Sequence, residues 1–88
     1  MRSGSYKNIT ETGVVNANRG ELLGFYVNST TSGTLILKDG GSGGTAITGT
    51  ITPAIGWHWL PVAYGASGGL HATIANTLDV TFIFRPQP

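Results

Sequence analysis

Residues 21–28 read Glu-Leu-Leu-Gly-Phe-Tyr-Val-Asn, and this order predicts a half-buried β-strand. Leu23, Phe25 and Val27 occupy every second position, and successive side chains of a strand point to opposite faces of the sheet. We therefore expect these three side chains to face the core. The set expected on the opposite face is Gly24, Tyr26 and Asn28.

The same alternation recurs along the rest of the chain, interrupted by glycine, asparagine, aspartate and proline residues that favour turns. It predicts about eight short strands at intervals of roughly ten residues. Besides residues 21–28, the predicted strands are 6–10 with 13–16 as one broken strand, 34–39, 45–52, 55–60, 62–64, 70–74 and 80–84. The apolar residues expected to face the core in these strands are Leu35, Leu37, Ile47, Ile51, Leu70, Ala72, Ile74, Val80, Phe82 and Phe84.

This pattern predicts an all-β fold of antiparallel strands, arranged as a single β-sandwich or barrel. Apolar residues show no helical periodicity, and no segment between two predicted strands fits the crossover helix that a parallel sheet requires. A chain of 88 residues is long enough for one domain. We assign residues 1–10 to a flexible N-terminal arm with the first strand, residues 6–85 to the domain and residues 86–88 to a short tail.

Charge is scarce in this sequence. Charged residues make up 10% of the chain, against about 25% in an average domain, and the net charge is +1. This balance argues against binding to nucleic acid or to an anionic membrane, and no run is apolar enough for a membrane span or a secretory signal. We expect the neutral surface, rich in Thr, Ser, Asn and Gly, to contact other subunits. The alternative is a monomer kept in solution by its hydroxyl and amide groups.

The residues that could carry chemistry lack the spacing that catalysis requires. Ser42 and Ser67 each occupy the centre of a Gly-x-Ser-x-Gly pattern, but neither precedes the helix that makes such a turn a nucleophile elbow. His58 and His71 show no metal-ligand spacing with the aspartates, and we expect His71 to point away from the core. The sequence contains no cysteine. We predict no enzyme activity, no catalytic residue, no cofactor and no bound metal.

The tripeptide Trp57-His58-Trp59 is the most unusual motif of the sequence. In a strand, both tryptophans face one way and His58 faces the other. They could fill a thin core, or they could form an aromatic platform for a sugar or a partner protein. We expect one tryptophan in the core and one at an interface. The full set of candidate protein-interface residues is Tyr6, Lys7, Trp57, His58, Trp59, Tyr64 and Arg85.

The order of short motifs along the chain resembles one known class of protein. The motifs are Asn8-Ile9-Thr10, Gly13-Val14-Val15, residues 20–28 with the central Gly24, residues 33–39 (Gly-Thr-Leu-Ile-Leu-Lys-Asp), Gly44-Thr45-Ala46-Ile47, Gly69-Leu70 and residues 79–84 (Asp-Val-Thr-Phe-Ile-Phe). In this order and at this length the chain resembles small virion proteins of tailed bacteriophages, of the head decoration or cement type. The resemblance extends from Asn8 to Phe84, and neither Trp57-His58-Trp59 nor the tail at residues 86–88 belongs to its pattern.

The resemblance implies a jelly-roll-like β-sandwich that binds in many copies to the outside of a capsid. It implies a homo-oligomer, with a trimer over the symmetry axes as one form, and the major capsid protein as partner. The protein would be made in the host cytoplasm and would end in the virion, on the capsid exterior, with no nucleic acid or membrane as partner. An arm at residues 1–10 would suit strand addition to a neighbouring sheet.

Two other functions remain open at this point. The chain could be a different virion component, such as a head spike, a fibre-base protein or a tail protein. It could also be a carbohydrate-binding β-sandwich module that uses Trp57, Trp59 or Tyr64, since aromatic rings favour such binding surfaces.

Overall fold

A computed structural model describes residues 5–86 of the chain and places six strands and no helix in them. All strand pairs are antiparallel, which confirms the all-β class and the exclusion of a parallel sheet. The strands are β1 (Ser5–Ile9), β2 (Gly13–Asn16), β3 (Gly20–Asp39), β4 (Thr45–Ala46), β5 (Gly56–Tyr64) and β6 (Leu70–Pro86).

The two long strands β3 and β6 form the centre of the sheet. They pair antiparallel from Gly20 opposite Pro86 to Asp39 opposite Leu70. Each of them contains two of the predicted short strands, so the prediction of about eight strands is wrong in number. The breaks expected near Ser32 and Asn76 are absent, because β3 and β6 continue through both positions. The backbone there takes positive φ angles of 53° and 62°, and the register shifts between Thr31 and Ser32.

The four shorter strands flank the two-stranded ribbon that β3 and β6 form. β1 and β2 pair with β6, while β4 and β5 pair with β3. β1 and β5 thus lie on opposite sides of the stretch where residues 20–27 pair with residues 80–86. Residues 5–9 of the predicted arm are a paired strand, and residues 1–4 and 87–88 lie outside the described part. The sandwich and jelly-roll arrangement stays a prediction.

The core is one cluster of buried side chains contributed by both ends of the β3–β6 ribbon. Every inward residue predicted for residues 34–39 and 80–84 is buried. One prediction is wrong: Leu22, not Leu23, is fully buried. The register shifts between Leu22 and Gly24, so an extra residue in β3 reverses the alternation on one side of the bulge. The buried apolar residues are Ile9, Val15, Leu22, Phe25, Val27, Leu35, Leu37, Tyr64, Leu70, Ala72, Leu78, Val80, Phe82 and Phe84.

The strand predicted at residues 45–52 forms only at Thr45–Ala46. The chain beyond it still follows β3: the amide of Ile47 donates to the carbonyl of Leu37, and Ile51 forms an isolated bridge with Leu35. Ile47 and Ile51 are half-buried and pack against the core, as predicted. This segment therefore covers one edge of the core without a regular ladder.

Candidate functional site: an exposed aromatic face

The indoles of β5 are on the surface. Trp57 and Trp59 are 45% and 65% exposed, and their ring centroids lie 6.0 Å apart. The prediction that one of them fills the core is wrong. Along β5 the inward positions are taken by His58, Leu60 and Val62, and the strict alternation turns both tryptophans to the other side.

Strand register brings further aromatic residues beside these two indoles. Across the sheet, Trp59 is in register with Gly24, Ile83 and Tyr6, and the next row contains Trp57, Tyr26, Thr81 and Asn8. Neighbouring strands lie about 4.8 Å apart, so each row spans roughly 15 Å from β5 to β1. Tyr26 is 45% exposed and Tyr6 is 77% exposed. We call the surface formed by Tyr6, Tyr26, Trp57, Trp59 and Ile83 the aromatic face.

A network of polar side chains borders the aromatic face. The carboxylate oxygen Oδ1 of Asp79 accepts from Nδ2 of Asn8 at 2.7 Å and from Nδ2 of Asn28 at 3.2 Å. The same two amide groups donate to Oγ1 of Thr81, at 3.2 and 3.1 Å. Thr81 lies next to Tyr26 in the register. These bonds connect four side chains from the strands β1, β3 and β6, and they leave the second carboxylate oxygen of Asp79 outside the network.

Arg85 and Glu21 extend the surface beyond the aromatic residues. Nη2 of Arg85 lies 3.0 Å from Oε1 of Glu21, directly across the β3–β6 ladder. Both side chains are substantially exposed, so this ion pair contributes little to stability. Because the two charges cancel, the ion pair adds no net charge beside the aromatic face.

The other three predicted interface residues lie elsewhere. His58 stacks on Phe25 with ring centroids 5.1 Å apart, and its Nε2 is 2.7 Å from the carbonyl oxygen of Ala54. Lys7 is exposed on β1 but is in register with the buried Phe82, on the opposite side of the sheet from Tyr6. These two side chains therefore do not share the aromatic face.

Tyr64 is part of the core rather than of the surface. It is only 2% exposed, and its hydroxyl accepts a hydrogen bond from Nδ2 of Asn16 at 2.7 Å. Burial raises the pKa of Tyr64, and the bond from Asn16 opposes that change in part. Its contacts tie β5 to β2 and leave it inaccessible to a partner.

His71 differs from its prediction as well. The side chain is 6% exposed, although it stands between the inward residues Leu70 and Ala72, and its buried Nδ1 has no hydrogen-bond partner among the described residues. Burial lowers the pKa of His71, and the charge of Lys38, directly across the ladder, lowers it further. No group of three or more potential metal ligands occurs within residues 5–86.

The serines of the two Gly-x-Ser-x-Gly patterns lie in exposed loops that pack together. Oδ1 of Asp39 accepts from the amides of Gly65 and Ala66 at 3.1 and 3.0 Å. The carbonyl of Gly69 accepts from the amides of Gly40 and Gly41. The glycines thus serve loop packing, and no helix follows Ser42 or Ser67 in the described structure.

The sequence contains one further signal of this surface. All nine charged residues lie before position 40 or after position 78, so residues 40–78 carry no Asp, Glu, Lys or Arg. That segment contains the whole of β5 with both tryptophans. Alternation places Tyr26 on the non-core face, but it cannot show that Tyr26 is a neighbour of Trp57, because that depends on which strands pair.

Comparisons with known proteins identify no relative of this chain. The described residues include no helix long and apolar enough to cross a membrane. The chain matches no protein-family model, no curated protein sequence and no solved structure.

Proposed function

We propose that this chain is a structural protein of a tailed-bacteriophage head. It binds the major capsid protein on the outside of the assembled shell as a decoration protein, and it has no enzymatic activity. The order of motifs from Asn8 to Phe84 supports the class of protein, and the scarcity of charge supports a surface made for contact with other proteins.

The aromatic face is the observation that carries this proposal. A fully buried aromatic side chain removes about 150–250 Å² from water, so the exposed fractions of these four rings add up to an area on the order of 500 Å². This is the size of the largest apolar patch on a typical monomer, and such patches are often functional. Trp and Tyr are also the residues most enriched at the energetic centres of protein interfaces.

The proposal includes a two-layer, jelly-roll-like arrangement of the sheet. It is supported by the core cluster, in which side chains from both ends of the β3–β6 ribbon pack together. A compact module of this kind would stabilise a shell by binding its assembled form and not its free subunits, since selective binding shifts an equilibrium by mass action. Many copies on one shell would add their effects.

Purified virions of the phage that encodes this chain test the proposal. We expect mass spectrometry to find the chain in the particle in many copies, and antibody labelling to decorate the head. Label confined to the tail would contradict a decoration role and would favour a tail or fibre-base protein. Absence of the chain from intact particles would refute a virion role altogether.

Saccharide binding is a second candidate function, because the polar network borders the aromatic rings. Sugar rings stack on aromatic side chains, and their hydroxyls would find acceptors at Asp79 and a hydroxyl donor at Thr81, beside Tyr26. Titration with maltoheptaose, cellohexaose and chitohexaose, followed by tryptophan fluorescence, tests it. Saturable quenching that disappears in Asp79→Ala supports saccharide binding, and an unchanged spectrum counts against it for these sugars.

A further inference from the structure

β5 differs from the other edge strands of the sheet. Among the described residues it pairs only with β3, so one side of its backbone has no strand partner. It is nine residues long, whereas β1, β2 and β4 have five, four and two residues. Long apolar edges are ready templates for pairing with another strand, and proteins usually protect them with charges, prolines or short length.

The first part of β5 has neither a charged residue nor a proline to protect it, whereas β1 contains Lys7. Gly56–Leu60 contains no charged residue and no proline, and it presents Trp57 and Trp59 on one side and the half-buried Leu60 on the other. Its pairing with β3 is regular from Gly56 to Trp59 and shifts register only before Val62. Pro61, which has no amide to donate, ends the stretch that a new strand could use.

We infer that this edge pairs with the same edge of a second copy of the chain, through residues 56–60 and about a two-fold axis at His58. In this antiparallel register Gly56 faces the partner's Leu60, and Trp57 faces the partner's Trp59. The five residues before Pro61 are thus used in full, and each tryptophan is opposite a tryptophan in the register. Aromatic cross-strand pairs are among those that stabilise sheets, and no like charges meet.

The symmetry of this pairing explains why the tryptophans sit at the edge of the aromatic face. A two-fold axis perpendicular to the sheet leaves both aromatic faces on the same side. The two faces then form one surface eight strands wide, with four indoles at its centre. One copy exposes an aromatic area on the order of 500 Å², below the roughly 800 Å² per partner of a standard interface, and two joined copies exceed it.

The use of the joined surface to bind a shell rests on the proposed function, whereas the pairing of the two copies rests only on the features of β5. It also differs from the trimer that the family resemblance implies, because a strand pairing about a two-fold axis closes at two copies. Mass measurement therefore distinguishes the two.

The first test is the mass of the full chain in solution, measured by sedimentation equilibrium over micromolar to millimolar concentrations. We expect a monomer–dimer equilibrium that reaches twice the 9.1 kDa of one chain. Trp59→Lys places a charge opposite Trp57 of the second copy and should weaken the dimer at least tenfold. Val14→Lys, on the short edge strand β2, is the matched control and should leave the equilibrium unchanged. A monomer at every concentration, or a trimer, would overturn the inference.

A cross-link tests the register directly, because the natural chain has no cysteine. Residues opposite each other in an antiparallel pair have Cα atoms about 4.5–5.5 Å apart, within the range of a disulfide. Oxidised His58→Cys should therefore form a covalent dimer, and Val14→Cys should not. Equal cross-linking of the two variants would contradict the register. Dimers that fail to bind virions would refute the proposed function and leave the pairing intact. Monomers that bind virions would refute the pairing and leave the proposed function intact.

Discussion

Gly24 lies beneath the indole of Trp57, on the side of the sheet that carries the aromatic face. A β-carbon at position 24 would stand 2.7 Å from Cζ2 of Trp57 and 2.5 Å from the carbonyl oxygen of His58. Both distances are shorter than van der Waals contact, and one of the two atoms belongs to the backbone of the neighbouring strand. The absence of a side chain at this position therefore lets β5 and its indole lie close to β3.

Replacing this glycine should disturb the aromatic face. We expect Gly24→Ala to lower the free energy of unfolding by about 1–3 kcal/mol, the usual cost of forcing an extra carbon into a packed site. The emission of Trp57 should shift at the same time. Gly49→Ala is the control, because a β-carbon there would meet no atom within 4 Å. Urea unfolding followed by tryptophan fluorescence measures both effects, and equal stability of the two variants would contradict this packing.

The stability of the fold should fall as the pH is lowered from 8 to 5. Burial, with Lys38 as a second cause, holds the pKa of His71 below its ordinary value of about 6.5. Well above pH 6.5 the imidazole is neutral in both states, and the stability is fully present. Below it the unfolded chain takes up a proton that the folded chain resists, so unfolding becomes easier.

Urea unfolding at a series of pH values, with two variants, isolates this effect. His71→Gln should lose the part of the pH dependence that comes from this group, whereas His58→Gln should keep it. If the stabilities of the natural chain and of His71→Gln decline in parallel, His71 is not the group responsible.

The carboxylate of Asp39 should hold the loop at residues 65–69 in place. It accepts hydrogen bonds from the amides of Gly65 and Ala66, so Asp39→Ala should cost about 1 kcal/mol of stability. It should also speed hydrogen exchange at those two amides. Asp79→Ala removes the other aspartate of the chain, which belongs to a different network, and should leave exchange at the loop unchanged. Slow exchange of Gly65 and Ala66 in Asp39→Ala would show that other contacts hold the loop.

Phe82 should matter for stability, and Tyr6 should not. Phe82 is fully buried and packs on Phe25 with ring centroids 5.7 Å apart, so Phe82→Ala should cost about 3–5 kcal/mol. Tyr6 is 77% exposed, and Tyr6→Ala should change the stability by less than about 0.5 kcal/mol. Thermal unfolding by circular dichroism compares the two. A large loss in Tyr6→Ala would mean that its ring has a structural role.

Local periodicity predicted the core of this fold well. Phe25, Val27, Leu35, Leu37 and Phe82 are buried where alternation placed them, because each lies in a regular stretch of strand. It failed at Leu22 and Leu23, where a bulge adds one residue, since the hydrophobic pattern alone cannot show which of two adjacent leucines turns inward.

The candidate site was harder to predict, because it depends on which strands are neighbours. The sequence placed Trp57 and Trp59 on one side of a strand, but the choice between core and surface requires knowing what lies over that side. Tyr26 and Tyr6 join them only through the pairing of β3 with β5 and of β1 with β6. The burial of His71 likewise depends on strands that are distant in sequence.

The central claim is that the aromatic face is the surface that binds the assembled shell, and co-sedimentation with virions stripped of this protein tests it most directly. The natural chain should pellet with the particles and saturate. The double variant Tyr6→Ser with Trp59→Ser, which removes two exposed rings from opposite ends of the face, should bind at least about tenfold more weakly, since buried aromatic anchors dominate interface energies. Val14→Ser changes an exposed residue outside the aromatic face, and this variant should bind like the natural chain. Equal binding of all three proteins, or no binding of the natural chain, would contradict the claim.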